Sequence, residues 1–136
     1  MRTQCVVVCV VLFCAGLGGQ ALAEDKPTGT PLSGKELKEL LTSVDGAITE
    51  ARSSLGARWN TVYLRTGRAF VQWTGAGTVT QDSGYWRVEG DALCLKWLKV
   101  IYPGVERCTR IHRIGENAYQ AWNAEGEQIS TFGLRP

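Results

Sequence analysis

The residues able to do chemistry are few. A single histidine, His112, stands in Arg110-Ile111-His112-Arg113. An imidazole is a side chain able to act as a base. No serine or cysteine nucleophile motif accompanies it, so it is read as a surface or structural histidine and no catalytic residue is assigned. Asp82, Glu89 and Asp91 fall around one predicted hairpin. They lack the oxygen-ligand spacing of a calcium loop and are read as solvated hairpin ends. Arg107, Arg110 and Arg113 recur at intervals of three, and successive side chains of a strand point to opposite faces, which argues against one shared anion site. The chain has no P-loop, no G-x-G-x-x-G after a strand, no H-E-x-x-H and no C-x-x-C-H, so no cofactor is implied.

Of five cysteines, Cys5, Cys9 and Cys14 lie in an N-terminal apolar run, leaving Cys94 and Cys108. A zinc site needs about four ligands, and these two with His112 make only three. Neither cysteine sits in a nucleophile motif. An even pair in a small exported domain reads as one disulfide, closing a loop of about 15 residues and adding roughly 3 kcal/mol in the chain-entropy model.

The five tryptophans, Trp59, Trp73, Trp86, Trp97 and Trp122, are the least ordinary feature. Their rings suit stacking on a sugar or other planar ligand, but aromatics also give strands a large apolar area for a small core. Trp86 and Trp97 are assigned to the core. Trp59 and Trp122, together with Tyr102 in a predicted loop, are the ligand-binding candidates.

The elements that must position these residues follow from the patterning. Arg2, the apolar run Cys5 to Leu17 and Ala21-Leu22-Ala23 read as a signal peptide over residues 1–23, cleaved near Ala23. The apolar run is too short for the roughly 20 residues of a membrane-spanning helix, so no transmembrane anchor is expected. Residues 24–31 read as a flexible leader and 32–136 as a single β-rich domain. Ser33-Gly34-Lys35-Glu36 is a capping box with a Leu32/Leu37 staple. It predicts an amphipathic helix through Leu37, Leu40, Leu41 and Val44, with Ile48 at its margin.

Beyond Gly46 the texture is of about seven short alternating segments broken by turns. The fold class is mainly β: an antiparallel meander forming a sandwich or small partial barrel, with one N-terminal helix. A two-residue turn at Thr66-Gly67 sets Tyr63 opposite Phe70. A turn at Gly90-Asp91 sets Trp86 opposite Leu95 and Val88 opposite Leu93. Pairing Cys94 with Cys108 sets Lys96 opposite Glu106, but also Arg107 opposite Leu95 on the apparent core face. A bulge or a one-residue offset would remove that conflict.

The run Gly84-Tyr85-Trp86-Arg87-Val88-Glu89-Gly90-Asp91-Ala92-Leu93-Cys94-Leu95-Lys96-Trp97, followed by Cys108 in an arginine-rich strand, resembles a family of small exported bacterial proteins of unknown function. The Tyr63–Arg68 hairpin and the Leu-Ser-Gly-Lys-Glu-Leu helix fit it too. The resemblance implies a periplasmic or secreted β-rich domain with one disulfide and no established activity. Gly84-Tyr85-Trp86 is only superficially similar to the lipocalin G-x-W, which opens its fold, whereas here the motif lies mid-chain.

Hydrophobic residues are 44%, charged residues 21% and the formal net charge is +2, which argues against disorder and gives no field to hold nucleic acid. The expected function is that of an exported, periplasmic, non-enzymatic binding or interaction module. Its partner would be a small planar or sugar ligand or an envelope protein. The alternatives are an inhibitor of a cell-wall or envelope enzyme, presenting the loop Lys99 to Val105, and, more remotely, an enzyme using His112 with a carboxylate.

Overall fold

The structure, a computed structural model, describes residues 26–52, 57–75 and 77–135. Residues 1–23, where the sequence predicts a signal peptide, lie outside the described residues. Nine strands and one helix follow in the order β1 (Thr30–Pro31), α1 (Gly34–Thr42), β2 (Ala47–Arg52), β3 (Arg58–Tyr63), β4 (Arg68–Gly75), β5 (Thr78–Glu89), β6 (Ala92–Trp97), β7 (Glu106–Gly115), β8 (Ala118–Trp122) and β9 (Gln128–Arg135).

From β2 to β9 each strand pairs antiparallel with the next, and β9 returns to pair with β2. The sheet therefore closes into an eight-stranded up-and-down barrel rather than splitting into a sandwich, and closure leaves no long unpaired edge. β7 shares one edge between two partners. Its first half pairs with β6, and β1 pairs beyond that with Arg113 and His112.

Alternation fixes what lies inside. Thr49, Ala51, Thr61, Tyr63, Ala69, Val71, Trp86, Leu93, Trp97, Ile111, Tyr119 and Ala121 are buried at inward positions. The β5–β6 hairpin turns at Gly90-Asp91, with Gly90 at φ +56°, and its register sets Trp86 opposite Leu95 and Val88 opposite Leu93. The β3–β4 hairpin departs by one residue from a two-residue turn at Thr66-Gly67: Val62 faces Phe70 and Tyr63 faces Ala69. The cause is the turn. Leu64 N–H donates to Arg68 O at 2.9 Å and Gly67, at φ +84°, donates to Leu64 O at 3.0 Å, a three-residue loop that only a residue tolerant of positive φ closes cheaply.

β2 begins directly after Gly46, and Ile48 lies in it rather than at the margin of the helix. Its inward residues Ala47, Thr49 and Ala51 are small, so the apolar signal of a strand is faint there.

α1 lies across one end of the barrel. The Ser33 hydroxyl accepts from Glu36 N–H at 3.3 Å, and the Glu36 carboxylate accepts from Ser33 N–H at 2.8 Å. That pairing holds the Glu36 carboxyl below its ordinary value. At the same end, Gly34 N–H donates to Asp91 Oδ1 at 2.8 Å, tying the helix to the β5–β6 turn. At the far end, Arg65 in the β3–β4 turn donates to the carbonyls of Thr42 at 2.9 Å and Ser43 at 3.3 Å. Leu37 and Leu41, one turn apart, are each 1% exposed and belong to the same apolar cluster as Tyr63, Trp86 and Leu93. This end is closed. No helix among the described residues is long and apolar enough to cross a membrane.

Candidate functional site

Eight strands give a barrel interior just wide enough to be filled by side chains or to hold one small molecule. Toward the end opposite α1, the interior is not filled. A cavity of about 650 Å³ opens there, within the range of small-molecule sites. Trp59, Trp73, Trp97, Leu95, Ile111 and Phe132 contribute to its apolar wall, and Thr49, Ala51 and Thr61 leave room because their side chains are small. Trp59 and Trp73 stand directly opposite each other on β3 and β4. Deeper in, the Tyr63 ring packs edge-on to Trp86, with centroids 5.8 Å apart. Burial pushes the Tyr63 hydroxyl up to about 12 despite hydrogen bonds with Thr49 and Thr61, so it stays neutral.

One rim is the β6–β7 loop, Leu98 to Val105. Its shape is imposed by Asp82, a buried carboxylate on the inward side of β5. Asp82 accepts backbone N–H groups from Ser83 at 2.7 Å, Lys99 at 3.1 Å, Val100 at 2.8 Å and Ile101 at 3.0 Å. Burial alone would raise its pKa, but the donors of Ile101, Val100, Ser83 and Lys99 together hold it below the ordinary value. Asp82 is therefore a loop anchor and not a solvated hairpin end. The other two acids of that group are separate from it: Glu89 pairs with Arg87 and Asp91 caps α1.

The loop places Tyr102, 58% exposed and at φ +44°, against Arg107, whose guanidinium carbon lies 4.0 Å from the ring centroid. The β6–β7 register runs without a break from Ala92↔Arg110 to Lys96↔Glu106, so Arg107 does stand opposite Leu95 on the inner face. No bulge intervenes. The conflict dissolves because this stretch of the inner face borders an open cavity instead of a dry core.

The three ligand candidates separate. Trp59 and Tyr102 line the cavity. Trp122 does not: it lies on the outward side of β8, 3% exposed, beside His112 with ring centroids 6.4 Å apart. It is therefore not accessible, and neither its Nε1 nor His112 Nδ1 has a hydrogen-bond partner among the described residues. Trp86 and Trp97 are buried. Trp73 is the aromatic wall residue that pattern reading left unassigned.

Cys94 and Cys108 are directly opposite and form a disulfide on the outer face. Beside them Arg87 forks onto Glu106 at 3.0 and 2.6 Å, which holds the Glu106 carboxyl low. Cys94, Glu106 and Cys108 are the one metal-like grouping among the described residues, and both sulfurs are consumed by the disulfide. No family model, no curated protein and no solved structure matches the chain.

Proposed function

We propose that this chain is an exported, non-enzymatic binding module that takes one small, largely apolar molecule into the open end of its barrel. The observation that carries the proposal is the cavity of about 650 Å³ walled by Trp59, Trp73, Trp97 and Phe132, sealed at the opposite end by α1. Ligand sites of this kind are concave, mostly apolar and carry a few convergent polar groups. Export is supported by the signal-like segment Arg2 to Ala23 and by the Cys94–Cys108 disulfide, a bond that oxidising compartments keep.

The test is titration of the protein beginning at Glu24 with the neutral fluorophore N-phenyl-1-naphthylamine. Saturable one-to-one binding is expected, with quenching of tryptophan emission. It should be lost in Ala51→Phe, which projects a ring into the cavity, while near-ultraviolet circular dichroism stays native. Folded wild-type protein that binds no probe would overturn the proposal.

A second reading, an inhibitor of an envelope enzyme, is favoured by the anchored β6–β7 loop, which exposes Val100, Tyr102 and Val105 on a fixed backbone. It predicts that Tyr102→Ala abolishes partner binding without changing stability.

A further inference from the structure

Arg107 is the only lysine or arginine in the cavity wall among the described residues. Its guanidinium makes no hydrogen bond or ion pair among them, only its stack on Tyr102. Two acids also border the cavity. Glu106 points to the other face of β7 and is held by Arg87, and Glu125 sits in the β8–β9 turn. Arg107 is thus the one charged side chain at an inward strand position of the wall, placed where apolar lining gives way to solvent.

A guanidinium stacked on an aromatic ring keeps its in-plane N–H donors free at the edge, and that edge matches paired oxygens of a carboxylate, sulfonate or phosphate. The backbone that carries the Tyr102 ring is held in place. Tyr102 occupies a left-handed conformation that costs a non-glycine residue free energy. The loop is fixed in that state by Asp82, by Gly104 N–H donating to Trp97 O at 2.8 Å and by Val105 N–H donating to Tyr102 O at 3.0 Å.

We infer that the ligand is an amphipathic organic anion, its apolar body among Trp73, Trp97 and Phe132 and its single acid group on Arg107 at the mouth, an inference that rests on the cavity proposal above.

Two fluorophores with the same aromatic body test it: anionic 1-anilinonaphthalene-8-sulfonate and neutral N-phenyl-1-naphthylamine. Wild-type protein should bind the sulfonate about tenfold more tightly than the neutral probe. Arg107→Gln should remove the sulfonate's advantage over the neutral probe, and Arg107→Lys should restore part of it. Arg107 is exposed and makes no ion pair among the described residues, and circular dichroism checks that these variants keep the fold. Equal affinities in the wild type, or a sulfonate preference that survives Arg107→Gln, would overturn the inference while the cavity proposal stands. Binding of neither probe overturns both.

Discussion

The Asp82 carboxylate accepts the backbone N–H of Val100 at 2.8 Å, joining the middle of β5 to the loop that frames the cavity mouth. With Ser83, Lys99 and Ile101 donating to the same side chain, one buried charge organises a connection that has no secondary structure of its own.

Asp82→Asn replaces one acceptor oxygen by a donor facing N–H groups and should lower stability by about 2 kcal/mol. Hydrogen exchange at Val100 and Ile101 should accelerate more than in the barrel strands. The pH dependence has a definite sign. A carboxyl whose pKa is lower folded than unfolded contributes stability that is complete above the unfolded value, about 3.9, and is lost as pH falls through the folded value. Glu36 and Glu106 are also held low, so the wild type loses stability in acid through several groups. Asp82→Asn should lose less than the wild type between pH 5 and pH 2.5, read by thermal melts. An identical loss would remove Asp82 from the account.

Gly84 is required by packing and not by its dihedral angles. A Cβ there would stand 2.2 Å from Lys96 O and 2.9 Å from the Trp97 ring. Gly84→Ala should therefore cost about 2 kcal/mol or more, measured by urea unfolding, because backbone cannot yield as a flexible side chain does. A near-neutral result would mean that β5 and β6 are further apart than the structure has them.

Removing the disulfide as Cys94→Ala with Cys108→Ala should lower stability by roughly 3 kcal/mol. The intact mass of protein recovered after export should begin at Glu24 and fall two hydrogens below the reduced chain. Two free thiols by mass would contradict the disulfide, and a retained residue 1–23 segment would contradict export.

Leu41→Ala tests the closed end. Leu41 is 1% exposed beneath the barrel, and its truncation should cost about 2–5 kcal/mol. Because the cavity lies at the other end, probe affinity in the folded fraction should hardly change. A large affinity loss in protein that is still folded would show that α1 shapes the site as well as the core.

What was legible in the sequence follows the strength of local constraints. A tight turn at Gly90-Asp91 and direct opposition of the two cysteines give the pairings seen, Trp86 with Leu95 and Lys96 with Glu106, although the sequence leaves a bulge or one-residue offset open at the cysteine pair. Thr66-Gly67 admits a two- or a three-residue loop with the same glycine, and only the closing hydrogen bonds at Leu64 distinguish them. β2 was hidden because it lines the cavity with alanine and threonine, and a strand facing empty space needs no bulky apolar residues. The same emptiness explains Arg107. A cation at an inward position contradicts a packed core but suits a cavity wall, so the apparent misfit of Arg107 against Leu95 is a trace of the cavity in the sequence. Trp122 went astray for a different reason. Alternation places it outward, but nothing in the pattern shows that neighbouring outer-face groups such as His112 bury it.

The pairing of Thr30 with Arg113 and of Arg135 with Ile48 brings both ends of the described chain to the α1 side of the barrel. Tethered through either end, to a bead, a fusion partner or a surface, the molecule would present its opening outward into bulk solvent. Attachment chemistry and ligand access are thereby segregated to opposite poles, and a reporter fused at either terminus should leave the entrance unobstructed.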